Sequence, residues 1–68
     1  MTQSDRIINY MNENGSITPI EATLELGIID LARSVSYMRK QGIEVHGEWV
    51  SAKNRYGDKV RFMRYSLR

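Results

Sequence analysis

The chain has 68 residues, with 41% apolar, 26% charged, no cysteine and a net charge of +2. A chain this short fits one domain (1–68) with a core worth on the order of 3–5 kcal/mol, which excludes a large enclosed substrate pocket. It has neither disulfide nor thiolate metal site, and its longest wholly apolar run, residues 26–29, is far below the roughly 18–20 residues of a membrane span.

The first helix is expected to begin near Ser4, with Thr2 and Ser4 both available as N-caps and Thr2-x-x-Asp5 resembling a capping box. Ile7, Ile8, Tyr10 and Met11 form its apolar stripe, and Asn14-Gly15 ends it. Ser16-Ile17 is long enough only for a brief strand. Thr18-Pro19-Ile20-Glu21 is the clearest local signal: threonine caps, proline fills the first helical position and Glu21 closes a capping box. The helix from Pro19 to about Leu26 carries Ile20, Ala22, Leu24 and Leu26 around much of its girth, the pattern of a helix sandwiched between others. Gly27 breaks it. A third helix is expected over about 29–41, with Leu31, Ala32, Val35 and Met38 facing inward and Gly42 as its stop. Arg39 and Lys40 suit the negative end of its dipole.

After Gly42 the period changes to two. Ile43, Val45 and Gly47 alternate with Glu44, His46 and Glu48, and Trp49 and Val50 continue the strand. Residues 54–58 read as a turn, and 60–67 as a second strand. The fold class is therefore α+β: three helices, a short strand between the first two, and a C-terminal hairpin over about 43–67. Across the hairpin Trp49 and Phe62 are expected to face each other as a structural pair, or else to form a patch for a second subunit. Tyr65 and Leu67 should lie against the helices. Whether Lys59 and Arg61 share their side past the edge of the body depends on whether the hairpin contains a bulge.

Charge divides the chain. Residues 1–30 set Arg6 against Asp5, Glu13, Glu21, Glu25 and Asp30, a net of −4, while residues 31–68 carry nine bases against three acids, a net of +6. One basic half invites a polyanion; the bland alternative is a solvated surface. Two helices joined by a tight turn can set the second into a DNA major groove. The third helix offers Arg33, Ser34, Ser36, Tyr37 and Lys40 for base edges; arginine pairs bidentately with guanine and serine with several bases. The hairpin offers Lys53, Arg55, Lys59 and Arg61 for phosphates or the minor groove. The free N–H groups at Thr18–Ile20 could receive a phosphate. Each has a plain structural alternative: Arg33 pairing with a surface carboxylate, Tyr37 covering the core edge, Lys40 serving only the dipole. Arg39, close to the apolar stripe, is expected in an ion pair with Glu21 or Glu25.

The chain resembles the small winged helix-turn-helix domains of phage and prophage genes. The resemblance rests on Ile8 through Met11, Gly15-Ser16-Ile17-Thr18-Pro19-Ile20-Glu21-Ala22, Leu26-Gly27-Ile28, Leu31-Ala32-Arg33-Ser34-Val35, Met38-Arg39-Lys40-Gln41-Gly42-Ile43 and Arg64-Tyr65-Ser66-Leu67. It spans nearly the whole chain, with residues 15–42 the most specific set. It implies sequence-specific binding of double-stranded DNA by a small transcription regulator or recombination accessory factor, and no activity beyond binding. The hairpin departs from the pattern: residues 47–58 are longer than a short wing and carry Trp49 and Tyr56.

Two rivals stand beside this reading. One is a protein-interaction module or inhibitor of a host protein on the same fold, since fold alone does not fix function. The other is RNA binding, with Tyr37, Trp49 and Tyr56 stacking on unpaired bases. No enzyme is expected. There is no glycine-rich phosphate loop, no nucleophile–base pair and no metal-ligand spacing; His46 beside Glu44 and Glu48 reads as a solvent-facing strand residue. No cofactor, metal, membrane or small-molecule substrate is expected. A homodimer or a host protein is a conceivable partner. Residues 1–6 lack a charged-then-apolar signal pattern, so the cytoplasm is the expected location.

Overall fold

Thr2 starts the first helix. Its hydroxyl accepts from the Asp5 N–H, the Asp5 carboxylate accepts from the Thr2 N–H, and α1 runs over Gln3–Asn14, one residue earlier than expected. Gly15 closes it at φ +88, a left-handed conformation that glycine adopts without strain. The same capping logic builds α2 (Pro19–Leu26): the Thr18 hydroxyl accepts from the Glu21 N–H, and Glu21 Oε1 accepts from the Thr18 N–H at 2.9 Å. Replacing Thr18 with alanine should cost about 1 kcal/mol, the usual value of such a cap. Chemical denaturation checks this, and a loss under a few tenths of a kcal/mol would contradict it.

The computed structural model describes residues 2–67; Met1 and Arg68, the ends of the expected 1–68 domain, lie outside the described residues. Helix α3 covers Leu31–Lys40, shorter than the expected 29–41, because Asp30 caps it by accepting from the Arg33 N–H. Ile29 falls outside that cap and is 91% exposed. Strands β1 (His46–Lys53) and β2 (Lys59–Ser66) pair antiparallel from His46↔Ser66 to Lys53↔Lys59. The first strand therefore begins at His46, not Ile43. Ile43 and Val45 still turn inward, so the alternation is real, but their backbone has no strand partner. The expected brief strand near Ser16-Ile17 is a single antiparallel bridge, in which Ile17 and Tyr65 exchange both backbone hydrogen bonds at 2.9 Å.

The core lies where the three helices meet the root of the hairpin. Ile7 and Met11 come from α1, Ala22 from α2, and Leu31, Val35 and Met38 from α3; Ile17, Ile28, Val45 and Tyr65 complete it. The chain extends 38 × 21 × 21 Å. Residues 51–61 are all exposed, so the outer hairpin is an arm rather than part of the core.

Three expectations fail, each for a geometric reason. Helix α2 is not sandwiched: Ala22 is its only buried residue, while Ile20 and Leu24 are 66% and 75% exposed. At eight residues it turns one narrow face to its neighbours, and Ile20 and Leu24 share the face it turns away. Ala32 is also exposed, because Leu31, Val35 and Met38 already fill the inward stripe of α3. Trp49 and Phe62 are not a pair, since the register sets Trp49 opposite Met63 and Phe62 opposite Val50, on the other side of the sheet.

Candidate nucleic-acid interface

Inward packing of Leu31, Val35 and Met38 decides which α3 side chains face solvent. At 3.6 residues per turn, Arg33, Ser36, Tyr37 and Lys40 occupy the opposite strip, and all four are exposed. Ser34 lies on the flank towards α1, half-buried, with Gln3 Oε1 at 3.3 Å and the Asp30 carbonyl at 3.4 Å as acceptors. The Tyr37 hydroxyl accepts from Gln41 Nε2 at 3.2 Å. Arg33 and Tyr37 border an open groove of about 760 Å³ between α1 and α3, whose apolar lining is Ile8, Ile29 and Ile43.

Arg39 does not pair with Glu21 or Glu25. Its Nε and Nη2 donate to the Val45 carbonyl at 3.1 and 2.7 Å. A charged donor thus satisfies an oxygen that no neighbouring strand reaches, and fixes the turn from α3 into β1. Glu21 instead accepts from the Tyr10 hydroxyl at 3.3 Å. Burial, then the Glu21 carboxylate, raises the Tyr10 phenol above its usual pKa of 10.0. Because Glu21 already places negative charge at the N-terminus of α2, that end is a poor phosphate site, contrary to expectation.

The register answers what the sequence left open about the hairpin. Gly47, Trp49, Ser51 and Lys53 share one side with Tyr65, Met63, Arg61 and Lys59. Tyr65 is in the core and Met63 packs against it, so this side is the one turned towards the helices at its root. Farther out it carries Arg61 over the Trp49 ring, 4.7 Å from the centroid, then Lys53 directly opposite Lys59. No residue on that side is acidic. Like charges directly opposite in a ladder repel, and an anion between them relieves the repulsion. The other side holds Glu48 and Arg64, which pair with each other (Nε to Oε1, 2.9 Å), so it is neutral. All the net charge of the strands is therefore on one side.

At the tip, Asn54 Oδ1 accepts from the Tyr56 and Asp58 N–H groups at 2.9 and 3.0 Å, and Gly57 adopts φ +83. This closes a five-residue loop that presents Arg55 and Tyr56 to solvent. Sequence reasoning missed that Trp49 belongs with the basic residues. The signal was present: a turn over 54–58 sets Lys53 opposite Lys59, and counting back by twos then puts Arg61 and Trp49 on the same side.

His46 Nε2 lies 3.2 Å from Glu44 Oε1, with the imidazole about half exposed. Among the described residues no group of three or more His, Cys, Asp or Glu side chains could hold a metal ion, and no helix is long and apolar enough to cross a membrane.

A family model described as a winged helix-turn-helix domain matches residues 2–68. No curated protein and no solved structure matches the chain.

Proposed function

The chain belongs to the winged helix-turn-helix domain family, and from that premise we propose that it binds duplex DNA in a sequence-dependent way. The observation that carries the binding is the one-sided charge of the hairpin, where Lys53, Lys59 and Arg61 share a side without a carboxylate; the sequence dependence rests on the exposed strip of α3. These residues, with Arg55 at the tip, hold backbone phosphates or the minor groove. Helix α3 lies in the major groove, where Arg33, Ser36, Tyr37 and Lys40 meet base edges and Ser34 is available from the flank. The role is that of a small regulator or recombination accessory factor of phage type, acting in the cytoplasm on the nucleoid. A single unit of this size makes few contacts, so tight binding calls for a second copy, tandem sites or a partner protein. Docking on a host protein is the second reading, favoured by the exposure of Ile20 and Leu24.

Selection from random duplexes near physiological salt, followed by sequencing, tests the first reading. An enriched motif is expected. Arg33→Ala should weaken binding to that motif about tenfold or more and barely affect random DNA; Lys59→Ala should weaken both equally. Equal losses for both variants on all DNA would overturn the division of labour. No binding at all would transfer the function to protein docking.

A further inference from the structure

The hairpin side that faces away from the helices is apolar over its outer part, beyond the Glu48–Arg64 pair at its root. Val50 stands opposite Phe62 and Ala52 opposite Val60, and none of the four belongs to the core or packs against it. Val50 and Phe62 are half-buried, and Ala52 and Val60 exposed. A soluble arm gains nothing from an uncovered apolar ladder backing a basic one.

We infer that a second copy of this chain covers it, the two hairpins packing back to back about a twofold axis that runs along them. Charge selects this occupant. The basic side, with Lys53, Lys59 and Arg61, repels its own copy. The apolar side carries as its only formal charges Glu48 and Arg64, opposite each other at its root. A twofold axis along the hairpin lays β1 of one copy over β2 of the other. Glu48 then faces Arg64 of the second copy and Arg64 faces its Glu48, while Val50 meets Phe62 and Ala52 meets Val60. Such an interface is self-complementary in both shape and charge. Both tips point the same way, and both basic sides stay open. Four modest side chains cover far less than the roughly 800 Å² per partner of a standard stable interface. The dimer is therefore weak in free solution.

Sedimentation equilibrium of the full chain without DNA tests this, so its outcome is independent of the nucleic-acid reading. The weight-average mass should climb from 7.9 kDa towards twice that value as the concentration nears about 1 mM. Ala52→Gln, neutral and at an exposed position, should raise the dissociation constant about tenfold. Glu48→Arg and Arg64→Glu should each hold the chain at monomer mass, because like charges then meet across the axis. An equimolar mixture of these two variants should regain the doubled mass, since each altered residue then faces its opposite. Circular dichroism establishes that each variant is folded. A native chain that stays at 7.9 kDa throughout, an Ala52→Gln chain that associates as the native one does, or a mixture that stays monomeric would overturn the proposal.

Discussion

Ile7→Ala should leave the chain largely unfolded in water. Ile7 is fully buried on α1, among core side chains from all three helices and the root of the hairpin. Truncating a buried isoleucine to alanine costs about 2–5 kcal/mol, from lost burial and the cavity left behind. A domain of this size holds only about 3–5 kcal/mol in total. The loss is as large as the reserve. Thermal unfolding followed by circular dichroism should show no cooperative transition for Ile7→Ala. Ile7→Val removes one methyl group, should cost about 1 kcal/mol, and should keep the transition. A cooperative Ile7→Ala transition close to that of the native chain would mean that α1 contributes little to the core.

Replacing Lys53, Lys59 and Arg61 together with glutamine should weaken DNA binding by between about a hundredfold and a thousandfold, taking up to about 1.5 kcal/mol for each charged contact. The slope of log affinity against log salt should shrink by about 3, one counterion for each phosphate no longer neutralised. Folding should be retained, because all three side chains are exposed and the change removes the Lys53–Lys59 repulsion. Titration of labelled duplex at several salt concentrations reads both quantities. The sole tryptophan gives an internal control, since Arg61→Gln alone uncovers the Trp49 ring and should alter its emission in the free protein. An unchanged salt slope in the triple variant would remove this side of the hairpin from the interface.

What the sequence revealed and what it hid have different physical ranges. The helix starts at Thr2 and Thr18 were legible because a capping box is completed within four residues. The hairpin turn was legible for the same reason. The α2 packing was not: an apolar residue looks the same in sequence whether a neighbouring element covers it or not, so Ile20 and Leu24 were read as buried. Arg39 was assigned an acidic partner because side-chain charges are visible in a sequence, whereas the Val45 carbonyl that it actually meets belongs to the backbone and becomes an acceptor only when no strand pairs there. Within the candidate interface, the outward strip of α3 followed from helical periodicity. The segregation of charge on the hairpin emerges only when the 54–58 turn is used to set Lys53 opposite Lys59; a slip of one residue along β2 would carry Lys59 and Arg61 to the other side.

The Asn54 clamp at the hairpin tip bears on how fast the arm can engage a partner. Its carboxamide oxygen holds two N–H groups of a loop that would otherwise sample many shapes. The conformational entropy of that loop is lost when the chain folds, not when it meets a ligand. Arg55 and Tyr56 are thus carried on a finished surface, so on the proposed DNA reading the loop adds no search for shape to the encounter.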